Sequence, residues 1–272
     1  LILVFRAVDL ARIRHDLRSL EAFRLIILLL AIWVGQVLCA QRWRLLAASF
    51  SLKGRYRSFL QLYFVGMLFN IGLPSLVGGD VVKAYVLSRK TGKSMHLALA
   101  SVLQDRAVGL VALLVFGSIA VPFYPMSWRG IPLWLVYVIV WAGIVVVVWL
   151  VWKGEGTYRQ LPFQGFAPVK KAVDIVASFH QALVTMRLYR IAILQVTAYS
   201  LVNSALVLWT FQQVTPAAGH AVDFVAFSAL FPLMALITML PISLGGLGIR
   251  EWTYVEALAL VRVPGSSALL IA

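Results

Sequence analysis

The run IPLWLVYVIVWAGIVVVVWLVW, residues 131–152, contains no charged side chain. A helix needs about 20 predominantly apolar residues to cross the ~30 Å hydrocarbon core of a bilayer. Tryptophans lie near both ends of the run, where interfacial anchors of transmembrane helices are commonly found. The run therefore predicts a transmembrane helix, and a chain that carries it has to fold in a membrane.

Several other apolar runs have a similar character. Hydrophobic residues make up 62% of the chain and charged residues only 12%, about half the charged share of an ordinary soluble domain. The further candidate spans are residues 23–41, 97–121, 188–212 and a shorter run at 224–240. Residues 56–73 and 252–263 are too short or too interrupted to cross alone. These runs predict an all-α fold, a polytopic membrane helix bundle.

The basic residues are unevenly distributed between these runs. A net charge of +14 would suggest nucleic-acid binding in a soluble domain, but here the Lys and Arg residues cluster at 41–57, 83–93 and 153–190. Loops 122–130 and 213–223 carry almost none. The positive-inside rule places the basic segments in the cytoplasm, so we expect no nucleic-acid partner. The N-terminal segment 6–24, with five arginines and three acids, does not follow this pattern.

Residues of the types used in metal and redox sites are sparse. The single cysteine, Cys39, lies in an apolar run and cannot form an intramolecular disulfide. The four histidines are far apart and lack metal-binding spacing: His15, His96, His180 and His220. We therefore predict no metal, no cofactor and no catalytic residue.

Residues 168–187 have apolar side chains at helical spacing with basic and polar residues between them. This pattern is typical of an amphipathic helix on the membrane surface. A connecting helix packed on protein is the equally open alternative.

The stretch LPSLVGGD, residues 73–80, interrupts the apolar pattern. Both of its flanks are predicted to be cytoplasmic, and the segment is too short for two spans. It is therefore predicted to form a re-entrant hairpin, with helix 56–70 entering the membrane and helix 80–90 returning. Pro74 disfavours helical geometry before it, while Gly78 and Gly79 permit unusual backbone angles and a close approach of chains.

The pattern occurs a second time, because LPISLGGLGIREWTY at 240–254 aligns with LPSLVGGDVVKAY at 73–85. Each copy has a proline, then a Gly-Gly pair, then a basic residue nine positions after the proline. The second copy supplies Pro241, Gly245, Gly246 and Arg250. We predict two inverted halves, about 1–121 and 188–272, in a single domain that is truncated at both ends. Broken hairpins in inverted repeats form the substrate sites of many secondary transporters.

Charged residues lie within or beside these hairpins. Asp80 and Lys83 share one face of the returning helix. Asp105 and Arg106 lie about 12 Å into their span, and neighbouring helical residues point about 100° apart, so we expect them to pair with other helices rather than each other. Ionisable groups at such depth usually line a pathway or form buried pairs.

The signs of these charges suggest an anionic ligand. Lys83, Arg106 and Arg250 are predicted to bind a lipid phosphate, and Asn70 to hydrogen-bond near it. The predicted charge-balancing or ion-coupling residues are Asp80, Asp105 and Glu251. Two structural alternatives stay open: Asp80 as a helix N-cap, and the whole set as buried ion pairs that hold the hairpins to the spans.

Three motifs together carry a family resemblance: FN-x-x-LPS-x-x-GGD-x-x-K-x-Y-x-LSR from residue 69, SVLQDRAVGL from 101 and LP-x-S-x-GGLGIRE from 240. The chain resembles the transmembrane region of lysylphosphatidylglycerol synthases and the flippase-like integral membrane proteins that share it. The dipeptide RW at 42–43 also fits. Where arginine is common in the family, this chain has Lys83.

The resemblance implies a multi-pass protein of a bacterial or archaeal plasma membrane that moves phospholipids or polyprenyl-linked glycolipids between leaflets. Membrane lipids are the expected ligands, and a lipid synthase or glycosyltransferase is a possible partner. We expect no synthesis of lysyl-lipid, since no aminoacyl-transferase domain is recognised in these residues. The alternatives are an intramembrane enzyme that acts on a lipid-linked phosphate or sugar, using Asp80 or Asp105, and a non-catalytic membrane partner of a synthase.

Overall fold

The computed structural model describes residues 22–72, 78–153, 180, 190–218, 221–239 and 248–271. Apart from His180, the predicted surface helix at 168–187 lies outside the described residues. The same is true of Pro74, Pro241, Gly245 and Gly246, which were predicted to form the two turns.

The described residues are mainly helical. The α-helices are α1 (Ala22–Ser49), α2 (Tyr56–Gly72), α3 (Gly78–Thr91), α4 (Met95–Ala120), α5 (Leu133–Lys153), α6 (Arg190–Val214), α7 (Phe224–Met239), α8 (Ile249–Ala259) and α9 (Gly265–Ile271). Two short 3₁₀ turns, Val121–Phe123 and Thr215–Ala218, and a pair of two-residue strands, β1 (Ser127–Trp128) and β2 (Ile131–Pro132), complete the described elements.

Four of the described helices, α1, α4, α5 and α6, are long and apolar enough to cross a membrane. They coincide with the four longest predicted runs, and α7, with 16 residues, is the shorter fifth. Helix α5 leaves apolar side chains such as Val145 and Ile139 exposed, as a lipid-facing surface requires. The predicted all-α membrane fold is therefore confirmed, whereas the re-entrant path and the inverted repeat stay predictions.

The first span is longer than its hydropathy indicates. The apolar run ends near residue 41, but α1 continues to Ser49. Trp43, Leu46 and Ala47 are fully buried in this extension, and their packing keeps the chain helical. The interpretation of Arg42 as a loop charge was therefore wrong, because Arg42 is a buried residue within a helix.

The chain divides into two compact units. Unit A contains the described residues of Gln36–Ala112 and Leu135–Leu201, and unit B contains those of Leu1–Gly35, Leu113–Trp134 and Val202–Ala272. The core of unit A brings the second half of α1 together with α2, α3 and the start of α4. Its buried side chains include Trp43, Phe50, Phe59, Leu62, Leu87 and Val102.

In unit A, α2 and α3 pack closely against each other. The Gly79 N–H donates a hydrogen bond to Asn70 Oδ1 at 2.9 Å. A Cβ atom at Gly79 would overlap the Gly66 carbonyl oxygen and the Asn70 side chain. The predicted role of Gly79 in a close approach of chains is therefore confirmed.

The substitution Gly79→Ala is expected to destabilise the packing of α2 on α3. The added methyl group meets backbone, which cannot rotate away, so we expect a loss of about 1–3 kcal/mol, the usual cost of overpacking. The thermal unfolding midpoint in detergent measures it. Gly143→Ala in α5 is the matched control, since a Cβ there would meet no side chain or neighbouring element within 4 Å. Equal midpoints for the two variants would contradict the close approach.

Unit B contains a small hairpin that the sequence patterns did not predict. Strands β1 and β2 pair in antiparallel fashion around Arg129 and Gly130, which have φ angles of 50° and 83°. Positive φ at both central positions is the geometry that matches the twist of a tight hairpin. Trp128 Nε1 donates to Glu256 Oε2 of α8 at 3.3 Å, which anchors the hairpin to that helix.

Candidate functional site

Unit A holds five charged side chains in two ion-paired groups, here together named the charge cluster: Arg42 of α1 with Asp105 of α4, and Asp80 and Lys83 of α3 with Arg106 of α4. Four of them are buried, whereas the Arg106 side chain is 33% exposed. Charged groups in a low-dielectric interior are costly unless they are paired. The pairs therefore decide what the cluster can bind.

Both carboxylate oxygens of Asp105 accept hydrogen bonds from residues of α1 and α2. Its Oδ1 accepts a hydrogen bond from Arg42 Nε at 2.7 Å, and its Oδ2 accepts one from the Tyr63 hydroxyl. Arg42 also donates through Nη1 to Ser200 Oγ of α6 at 3.3 Å. These contacts thus join four helices, α1, α2, α4 and α6, and both carboxylate oxygens are satisfied.

Asp80 is shared by two cations. Lys83 Nζ lies 2.9 Å from Oδ1, and Arg106 Nε contacts Oδ2. Asp80 is the third residue of α3, and both its oxygens face cations, so it bridges α3 to α4 rather than occupying the N-cap position. The prediction that Asp105 and Arg106 pair with different helices is confirmed, because their partners are Arg42 and Asp80.

Lys83 is held by aromatic rings as well as by Asp80. Its Nζ lies 4.4 Å from the centroid of the Tyr63 ring and 5.4 Å from that of Trp43. Its aliphatic stem fills the space beside Gly66, where an added Cβ would lie 2.7 Å from Lys83 Cδ. Cation–π contacts of this kind stabilise an ammonium group that is withdrawn from water.

The cluster borders a pocket with a volume of about 170 Å³. The residues that line it are Gln36, Arg42, Tyr63, Gly66, Met67, Asn70, Lys83, Asp105 and Arg106. Asn70 uses its Oδ1 for the Gly79 N–H, which leaves its amide nitrogen as a donor. Asn70, Lys83 and Arg106, three residues predicted to meet a headgroup, are therefore neighbours here.

The charges of the cluster do not cancel. Among the described residues, the three cations Arg42, Lys83 and Arg106 face two carboxylates, Asp80 and Asp105. With all five side chains ionised, the cluster has a formal charge of +1. A pocket beside an excess positive charge favours an anion.

Arg250 and Glu251, the residues predicted from the second motif, belong to unit B. Arg250 is exposed, and its guanidinium lies 6.0 Å from the Tyr254 ring. Glu251 Oε2 accepts a hydrogen bond from the Gly248 N–H at 2.6 Å at the start of α8. Gly248 has no side chain, so this bond is one half of a capping box, and through it Glu251 stabilises the start of its own helix. The binding of a lipid phosphate by Arg250 and the charge-balancing role of Glu251 stay predictions.

The patterns in the sequence did not single out Arg42 or Tyr63 as site residues. The RW dipeptide at 42–43 was the available signal for Arg42, but its charge was assigned to a loop. Tyr63 lies in an aromatic-rich helix, YRSFLQLYFVGMLFNIG, where no spacing distinguishes it from neighbours that face lipid. In the part of the chain that the structure describes, no three His, Cys, Asp or Glu side chains are grouped to hold a metal.

Comparison with known proteins identifies the family to which the chain is similar. The family model described as lysylphosphatidylglycerol synthase TM region matches residues 1–272. The UPF0104 membrane protein MJ1078 of Methanocaldococcus jannaschii is 24% identical over 215 residues, which cover 75% of this chain and 85% of that protein. No solved structure matches the chain.

Proposed function

The chain belongs to the lysylphosphatidylglycerol synthase TM region family, and from this premise we propose that it is a lipid translocase. The proposed substrate is an anionic phospholipid or a polyprenyl-linked glycolipid, which the protein moves between membrane leaflets. Family membership and the apolar helices establish a multi-pass membrane protein. The translocase activity is our proposal, and it rests on the pocket.

The observation that carries the proposal is a pocket in unit A beside an uncompensated positive charge. A lipid headgroup that crosses a bilayer has to leave water, and its phosphate loses hydration that something must replace. Arg106 offers guanidinium donors at the exposed edge of the pocket, and Asn70 offers an amide nitrogen. Charge-assisted hydrogen bonds from such donors are among the strongest that a phosphate can receive.

The start of α3 adds to this environment. Asn70 and Lys83 both line the pocket, and Asn70 binds the Gly79 N–H in the first turn of that helix. The partial positive charge at a helix N-terminus favours an anion nearby. Asp80 and Asp105 are proposed to balance the cations when no lipid is bound.

The proposal keeps the predicted inverted repeat of 73–85 and 240–254 within a single domain. Arg250 and Glu251 are proposed as a second headgroup contact and its counter-charge. A lipid synthase or glycosyltransferase is proposed as the partner that supplies or consumes the lipid.

Single substitutions of the pocket cations test the proposal. We expect the reconstituted protein to move an acyl-labelled phosphatidylglycerol between leaflets faster than protein-free vesicles do. Arg106→Ala is expected to slow this by about tenfold, the loss of one charged hydrogen bond of ~1.5 kcal/mol. Lys83→Ala is expected to slow it by a similar factor, because it removes the excess positive charge of the cluster. The measurement is the rate at which the label becomes accessible to a membrane-impermeant quencher.

Lys90→Ala and Arg57→Ala are the matched controls, because both residues are exposed basic side chains of unit A. They are expected to translocate at the wild-type rate. If the wild-type protein does no better than empty vesicles, or if folded Lys83→Ala and Arg106→Ala keep full activity, the proposal fails. Formation of a new product from a labelled lipid phosphate would indicate the enzyme alternative instead.

A further inference from the structure

We infer that the charge cluster selects lipids whose headgroup has a single net negative charge, as a phosphodiester without an amino group does. This inference rests on the proposed function and narrows its substrate class. The proposed function allows two classes of substrate, phosphodiester lipids with one net negative charge and diphosphate-linked lipids with two or more. The inference favours the first class.

The Arg42–Asp105 pair is complete in itself. Arg42 Nε and the Tyr63 hydroxyl satisfy the two oxygens of Asp105, and Ser200 accepts a further donor of Arg42. Both charged side chains are at least 95% buried. This pair is therefore neutral, its charged groups are already bonded within the protein, and it contributes no net charge toward a ligand.

The excess charge lies at the second carboxylate, because Asp80 serves both Lys83 and Arg106. Lys83 is buried between Asp80 and two aromatic rings, which leaves it little freedom to move. Arg106 is the more exposed cation and reaches Asp80 through Nε. Its two terminal nitrogens are thus the donors best placed for an incoming phosphate.

The balance of charge then sets the preferred ligand. A monoanionic phosphodiester brings the cluster and ligand together to a net charge of zero. A zwitterionic headgroup brings an ammonium group beside its phosphodiester, so the cluster and ligand together keep one positive charge. A diphosphate instead leaves the cluster and ligand together with an excess of negative charge. In a low-dielectric environment either imbalance costs free energy, so both ligands bind less well.

The size of the pocket agrees with this assignment. Pockets for drug-sized ligands usually measure about 300–1,000 Å³, whereas this one measures about 170 Å³. It suits a phosphodiester group but not a glycan. The remainder of a larger headgroup would have to extend beyond the pocket.

A set of matched lipids tests the selectivity. The probes are acyl-labelled phosphatidylglycerol, phosphatidylcholine and diacylglycerol diphosphate, which share a glycerol backbone and differ in headgroup charge. In vesicles with the reconstituted full chain, phosphatidylglycerol is expected to cross about tenfold faster than either of the others, a modest effect for one unit charge left uncompensated beside the pocket. The ratio of rates within one protein is the readout, so a change in total activity does not affect it.

Substitutions that change the formal charge of the cluster should move this ratio. Asp80→Asn raises the charge to +2 and is expected to favour diacylglycerol diphosphate. Arg106→Gln lowers it to zero and is expected to abolish the preference for phosphatidylglycerol over phosphatidylcholine. Asp80→Asn combined with Lys83→Met returns the charge to +1 and should restore the preference for phosphatidylglycerol. Lys90→Met, on the exposed face of α3, is expected to leave the ratio unchanged.

The outcomes separate this inference from the proposed function. If the wild-type protein moves all three lipids at equal rates, or if the ratio stays constant across the charge series, charge selection is wrong while translocation stands. If the wild-type protein moves none of them, the proposed function fails as well. Should Asp80→Asn fail to fold, the comparison of wild type, Arg106→Gln and the double variant still decides.

Discussion

Asp105→Ala is expected to lower the free energy of unfolding by about 3–5 kcal/mol, the usual cost of removing one partner of a buried ion pair. The loss is large because Arg42 stays behind with its charge buried and with Ser200 as its remaining described partner. The Tyr63 hydroxyl also loses its acceptor. The midpoint of thermal unfolding in detergent, read from the labelling of the single cysteine Cys39, measures the effect.

Asp223→Ala is the matched control for this prediction. Asp223 accepts hydrogen bonds from the Val225 and Ala226 N–H groups at the start of α7, so its loss should cost about 1 kcal/mol, as for a helix cap. Replacing both partners with apolar residues, Arg42→Met and Asp105→Leu, is expected to recover most of the stability. If Asp105→Ala is no less stable than Asp223→Ala, the buried pair does not hold these helices together.

The double variant Lys83→Met with Arg106→Gln is expected to abolish translocation of phosphatidylglycerol. Each cation alone accounts for about a tenfold effect. Removing both also changes the sign of the net charge of the cluster. Because both contact Asp80, their effects need not simply add. The remaining Arg42, Asp80 and Asp105 have a net charge of −1, which repels a phosphate. We expect a rate indistinguishable from that of protein-free vesicles, at least about 100-fold below the wild type.

Two further variants make this prediction decisive. Lys90→Met with Arg57→Gln removes two exposed cations of the same unit and should leave the rate unchanged. In the double variant, the buried Asp80 carboxylate has lost both of its cations, which is expected to destabilise the protein. Adding Asp80→Asn removes this buried charge, so it should recover stability without restoring transport. A folded double variant that still moves phosphatidylglycerol at the wild-type rate would rule out the cluster as the phosphate site.

Helix geometry alone was enough to predict part of this site. Adjacent residues on a helix diverge in direction, which correctly implied that Asp105 and Arg106 have different partners. The three-residue spacing of Asp80 and Lys83 likewise placed them on one face of the helix, where the structure shows them in contact. The glycine at position 79 indicated a close approach, and its hydrogen bond to Asn70 shows where that approach occurs.

Other parts could not be predicted, because they depend on contacts between distant segments. Hydropathy falls after Cys39, so the continuation of α1 through Arg42 became visible only once its burial against other helices was known. Tyr63 resembles any lipid-facing aromatic residue until the Asp105 side chain is placed beside it. The net charge of the pocket is likewise a property of three helices together, and no single motif contains it.

The lipid that stays bound to the purified protein tests the central claim most directly. Native mass spectrometry of the wild-type protein, extracted in a mild detergent, is expected to show one monoanionic phospholipid per chain. The same lipid should be present in the Lys90→Met with Arg57→Gln control and absent from Lys83→Met with Arg106→Gln. Equal lipid occupancy in all three proteins would contradict the account, because the retained lipid would then be held elsewhere.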